Sequence, residues 1–230
     1  MAGQAQPISL RPRYVHLRNW CIACAITAAG VIAAYIWLDR PIALFIDRTV
    51  SDKTLFVWLQ RLPIALLLLS LLVLVWCGLW TLMERPFLRV QSVGLACSIS
   101  FIAANFISNQ LKYALGRTWP DTWIQNNPSL IQNGVFGFNP FHGGPGFASF
   151  PSGHVAAVCA AITVLWWSYR RFRPIYLVFV AAVAIGLIGA NYHFLSDILG
   201  GIFVGTSVGY ITREIARGKL FEFTQHYDAT

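Results

Sequence analysis

Three short stretches of this 230-residue chain carry side chains able to handle a phosphate group. The first is KYALGRTWP, Lys112–Pro120, where two cations close in sequence follow an apolar run. A Lys and an Arg placed together can clamp phosphate oxygens. Snorkelling of basic side chains at a membrane helix end would use the same residues. The second is FPSGH, Phe150–His154. Pro-Ser-Gly before an apolar run reads as a helix start with Ser152 as N-cap. The free N–H groups of a first helical turn bind anions. Gly153 lets a ligand approach the backbone closely, and His154 falls beside any anion held there. A capped helix with an incidental histidine is the structural alternative. The third is HFLSD, His193–Asp197. Residues i and i+4 share one helix face. Asp197 can therefore hold one nitrogen of His193 and leave the other free as a nucleophile. Alone, this spacing is weak. Together the stretches supply a Lys, an Arg, two His and an Asp, provided the fold gathers them at one place.

The elements that must do so are membrane helices. The chain is 57% hydrophobic and 11% charged, with mean hydropathy +0.59. A soluble domain carries about 25% charged residues, so most of this chain does not meet water. Each span needs about 20 apolar residues, and long uncharged runs favour helices over strands. The sequence predicts an all-α, polytopic membrane protein with six transmembrane helices and its active site at one membrane face. The spans are roughly Trp20–Leu38, Leu62–Met83, Val90–Leu111, Ser152–Tyr169, Pro174–Tyr192 and Phe194–Thr212, with a tight turn near Asn191–Leu195. They give a tail at 1–18, a six-helix domain at 19–214 and a tail at 215–230.

Most of the 17 Lys and Arg residues fall in segments that would be cytoplasmic if both termini are inside. The three motifs then share the outer face. Two outer connections are long. Residues 40–61 mix apolar and charged side chains and read as an interfacial amphipathic segment. Residues 116–151 are rich in Gly, Pro, Asn and aromatics, and loops of that length tend to be functional. Trp119, Trp123, Phe136, Phe138 and Phe141 would shape the substrate mouth or anchor at the interface, and His142 is a possible additional phosphate ligand. The net charge of +8 reports topology and anionic headgroups rather than nucleic acid. The five cysteines lie in apolar runs; Cys21 and Cys24 read as packing residues despite their C-x-x-C spacing.

The order Lys112…Pro120, Pro-Ser-Gly-His at 151–154 and His193…Asp197 resembles the type 2 phosphatidic acid phosphatases, a superfamily shared with bacterial acid phosphatases and vanadium haloperoxidases. The resemblance spans Lys112–Asp197 by motif and most of the chain by topology. It implies that His193 attacks phosphorus to form a phosphohistidine, that Asp197 orients it, and that His154 protonates the departing lipid oxygen and then activates water. It implies a phosphate cradle of Lys112, Arg117 and the amides of Ser152 and Gly153. Neither metal nor cofactor is expected. The implied substrate is a polyprenyl pyrophosphate, a lipid A-type glycolipid phosphate or a phosphatidyl phosphate, handled at the outer face of a bacterial inner membrane. A phosphotransferase using the same intermediate, or an impaired lipid-binding relative, is the alternative. Two family arginines are missing: Trp119 stands where the Arg of Arg-Pro is expected, and Gly186-Leu187 replaces Ser-Arg. Sequence leaves the oligomeric state open.

Overall fold

The structure, a computed structural model, describes residues 13–227, with side-chain surroundings for 17–216. Nine α-helices and no named strand occur among the described residues. Of the tails expected at 1–18 and 215–230, residues 1–12 and 228–230 lie outside the described residues. Where they are described, they are helical.

The first helix, α1 (Arg13–Ala33), continues through a wider π-helical stretch, Ala34–Leu38, directly into α2 (Asp39–Thr49). The proline at 41 accounts for the wider winding. Its ring lacks an N–H and crowds the carbonyl one turn back, so the helix loosens rather than stops. The backbone N–H of Asp39 accordingly donates to Ala34 O, five residues back. The segment expected as an interfacial amphipathic connection at 40–61 forms α2, an amphipathic helix continuous with α1, and α3 (Thr54–Gln60), which leads into the next span. Asp39 lies just past Leu38, the expected end of the first span. The carboxylate is paired inside the bundle, so it does not end the helix.

The remaining elements are α4 (Leu62–Leu82), α5 (Arg89–Leu115), a single turn α6 (Leu130–Asn133), α7 (Gly153–Ser168), α8 (Arg173–Gly189) and α9 (Leu195–Tyr227). Five helical stretches are long and apolar enough to cross a membrane: Leu17–Thr49, Thr54–Leu82, Arg89–Leu115, Arg170–Gly189 and Leu195–Ala216. The sixth expected span is α7, at 16 residues shorter than the others. At 1.5 Å per residue it covers roughly 24 Å, against about 30 Å for a hydrocarbon core.

Large apolar side chains face outward along the bundle, among them Ile26, Ile36, Leu68, Leu72 and Val178. Lipid solvates such side chains, so the interior is held by close packing of small residues. Helix α7 is the centre: Val155 to Ala160 are all buried. Helix α9 lies along it through a stripe of glycines. A Cβ at Gly205 would come within 2.2 Å of Ala156 O, and one at Gly209 within 2.3 Å of Ala160 O. Gly201 in turn meets Ser152 O. The pairing 201–152, 205–156, 209–160 runs in one direction, so α7 and α9 are parallel and their N-termini meet at the same end. The antiparallel α8 joins them through the turn 190–194, where Asn191 adopts a left-handed φ of 55°.

Candidate functional site: two helix N-termini around a histidine

The start of α7 follows the sequence expectation. Ser152 is the N-cap, and its Oγ accepts from Val155 N–H at 3.5 Å. Its own backbone N–H donates to Asp197 O at 3.0 Å, which ties the start of α7 to the first turn of α9. The Ser152 amide expected to face phosphate is therefore already committed. The next amides, Gly153 and His154, donate to no protein group among the described residues. They are the open donors of this helix start. The Lys112 ammonium, at the end of α5, lies beside them. A Cβ on Gly153 would sit 3.4 Å from Lys112 Nζ, so the ammonium lies within van der Waals reach of this backbone.

His193 and Asp197 are brought together, but not on one helix face as the spacing suggested. His193 precedes α9, and Asp197 is its third residue. The Asp197 carboxylate folds back to the helix start, where Oδ2 accepts from Phe194 N–H at 2.9 Å. This is the returning half of a capping box. The same oxygen accepts from Ser149 Oγ at 2.6 Å and from His193 Nδ1 at 3.3 Å. A carboxylate can only accept, so Nδ1 carries the proton and Nε2 presents its lone pair. Nε2 is buried and has no hydrogen-bond partner among the described residues. Its imidazole is 6.5 Å, centroid to centroid, from that of His154. Burial pushes the His193 pKa down, partly offset by its hydrogen bond to Asp197 and the attraction of that carboxylate. The neutral, nucleophilic form is thus favoured.

Arg117 sits behind this pair. Its Nη1 donates to Asp197 Oδ1 at 2.5 Å and to Ser196 Oγ at 2.5 Å, while Nη2 donates to Asp39 Oδ2 at 2.7 Å. The side chain is fully buried. Five aromatic rings surround the guanidinium, from Phe194 at 4.5 Å and Phe138 at 5.0 Å to Phe150 at 6.0 Å, with Tyr35 and Phe136 between. The Arg expected to face phosphate is placed on two carboxylates instead. Asp39, which sequence reasoning passed over, completes the cluster by accepting from Ser196 N–H and Oγ as well. An Asp at the end of an apolar run, two residues before a proline, is the sequence signal that could have found it.

The two missing arginines are replaced by packing. Trp119 lies 5.3 Å from the His193 ring, and its Nε1 donates to Pro145 O. Leu187 is fully buried, and its carbonyl accepts from the N–H groups of Tyr192 and His193. Gly186 admits α3: a Cβ there would meet Leu59 Cβ at 2.6 Å. In the loop 116–151, Trp119 and Trp123 pack on Tyr192, while Phe136 and Phe138 cage Arg117. Phe141 is exposed. His142 is exposed too, its ring tilted against that of Phe147 with centroids 3.8 Å apart. A cleft of about 180 Å³ opens over Lys112, walled by Asn109, Tyr113, Gly143, Gly144 and Pro145. Among the described residues no group of three or more His, Cys, Asp or Glu is disposed to hold a metal ion.

Two curated relatives are similar over this region. A lipid A 1-phosphatase of Rhizobium johnstonii is 27% identical over 125 residues, 54% of this chain and 48% of the relative. A lipid A 1-phosphatase of Rhizobium etli is 28% identical over 118 residues, 51% of this chain and 48% of the relative. The matched stretch is about half the length of each relative. No solved structure matches the chain. The family model described as PAP2 superfamily matches residues 94–220, which is more than half of the chain and contains all three motifs, so the protein belongs to the PAP2 superfamily.

Proposed function

We propose that this protein is an integral-membrane lipid phosphatase that works through a phosphohistidine. The observation that carries the reading is the state of His193: Nδ1 held by Asp197, Nε2 bare and unpartnered, and a second histidine across a short gap. A buried polar atom without a partner is uncommon and points to a group it is built to meet.

In this reading the Nε2 lone pair attacks phosphorus and the bond from phosphorus to the lipid oxygen breaks. His154 delivers a proton to that oxygen. It then takes a proton from water as the water attacks phosphorus, and the P–N bond breaks to free phosphate and restore His193. Lys112 and the amides of Gly153 and His154 offset the charge on the phosphoryl oxygens, aided by two helix N-termini that converge there. Ser152 serves as cap and strut rather than as a phosphate ligand. The exposed position of His142 gives it no support as a ligand.

The substrate is a membrane lipid bearing a phosphate. The two relatives named lipid A 1-phosphatase make a lipid A-type glycolipid phosphate the first to test, ahead of polyprenyl pyrophosphates and phosphatidyl phosphates. The purified protein, screened for phosphate release against all three, should turn over at least one, and His193→Ala should abolish that release. Equal turnover in the variant would sink the nucleophile assignment. Label passing to a second lipid with little free phosphate would favour the phosphotransferase.

A further inference from the structure

We propose that Asp39, on the first membrane helix and outside the stretch shared with the family, is a positioning residue for the nucleophile, acting through Arg117 and Asp197. The proposal rests on the reading of His193 as nucleophile. Three observations carry it.

The first is connectivity. Asp39 Oδ2 accepts from Arg117 Nη2, and Nη1 of the same guanidinium donates to Asp197 Oδ1. Ser196 makes a second bridge: its Oγ donates to Asp39 while accepting from Arg117, and its N–H donates to Asp39 Oδ1. The second is charge. Arg117 alone would neutralise Asp197 and leave the imidazole facing no net negative charge. Asp39 restores it: two carboxylates and one guanidinium sum to a single negative charge behind the ring. A phosphohistidine, and the imidazolium-like charge that develops as it forms, needs that charge. The third is fixity. Asp39, Arg117 and Asp197 are all fully buried, and five rings enclose the guanidinium, so the chain of contacts has no slack. The groups that face His193 are Asp197, Arg117 and Lys112, with His154 and Tyr192 against its ring. None of the other carboxylates on α2 or the outer loop approaches the imidazole, since Asp47 and Asp121 are turned to Lys53.

The test compares Asp39→Asn and Asp39→Ala with the unaltered full chain in detergent. Asn keeps the shape and loses the charge. Asp39→Asn should lower kcat on a lipid phosphate by roughly 10- to 100-fold, the range seen when the group behind an orienting ligand is removed, with KM nearly unchanged. The acidic limb of the kcat/KM profile should move to lower pH, because less negative charge favours the neutral ring. An NMR titration of imidazole-labelled protein should show the same downward shift of the His193 signal, and that measurement needs no turnover. If the single variants do not fold, Asp39→Asn combined with Arg117→Met, which removes both charges, gives a second route: Asp197 then carries the same single negative charge alone, so the His193 signal should hold its place or move up, and a downward shift would overturn the charge argument. In Asp39→Asn, unchanged kcat, an unchanged pH limb and an unmoved His193 signal would overturn the proposal. An unaltered protein that releases no phosphate would instead refute the functional reading, leaving the titration to judge the link from Asp39 to His193.

Discussion

Arg117→Met isolates what the buried charge cluster contributes. The substitution keeps much of the side-chain volume and removes the one cation between two carboxylates. Asp39 and Asp197 are both wholly shielded from solvent, and each loses a contact of 2.5–2.7 Å. Breaking a buried pair by removing one partner costs about 3–5 kcal/mol, because the remaining charge stays desolvated. Lost cation–π contacts add less than five separate pairs would, since the rings share one guanidinium and methionine refills part of the cage. For a domain of this size about 1 kcal/mol corresponds to 2–4 °C, so the melting temperature should fall by roughly 6–20 °C. The protein supplies its own reporter. Cys77 and Cys159 are buried free thiols, and a thiol-reactive dye in detergent reads their exposure on heating. Adding Asp39→Asn should recover part of the loss, because only one carboxylate is then left unpaired. A fall of less than about 2 °C for Arg117→Met, or no recovery in the double variant, would refute the argument.

Three further outcomes follow from the same geometry. Because burial lowers the His193 pKa, the ring stays neutral as pH falls through its ordinary value of 6.5, so the acidic limb of kcat/KM assigned to it should lie below pH 6.5. By the same sign, the unfolded chain takes up that proton first, and folding stability contributed by the neutral ring should decline as pH drops from 6.5. Gly205→Val should block the close approach of α7 and α9, since even a Cβ lies 2.2 Å from Ala156 O, and it should lower both melting temperature and activity. Lys112→Gln should cut kcat/KM by about 100-fold or more, a typical cost of losing one donor to a transition-state oxyanion, because Trp119 and Leu187 stand where a backup guanidinium would be; steady-state kinetics on a soluble lipid phosphate checks it.

Much of the candidate site was legible because it is built from local signals. Ser152 caps α7, and the turn at 190–194 falls where two apolar runs nearly touch. The spacing of His193 and Asp197 pointed to a contact that forms through a helix start instead of a helix face. What sequence hid was long-range pairing. Asp39 reads as a charge ending the first span, and its partner Ser196 is 157 residues away. Only the folded bundle shows that this charge is buried against Arg117, which is why α1 runs into α2 rather than ending in an interfacial loop. Arg117 itself was legible as a cation at the right membrane end, but not its direction. That depended on two carboxylates and an aromatic cage drawn from four separate segments. The glycines of α9 were visible as small residues, yet their role in setting α7 and α9 parallel emerges only from the backbone contacts.

The most direct test is to trap the intermediate. The protein, mixed with a lipid phosphate labelled with radioactive phosphorus and quenched within one turnover, should carry one base-stable, acid-labile label that maps to His193 and is absent from His193→Gln. Label on any other residue, or turnover with no enzyme-bound phosphate under conditions where breakdown of the intermediate is slowed by His154→Ala, would contradict the account.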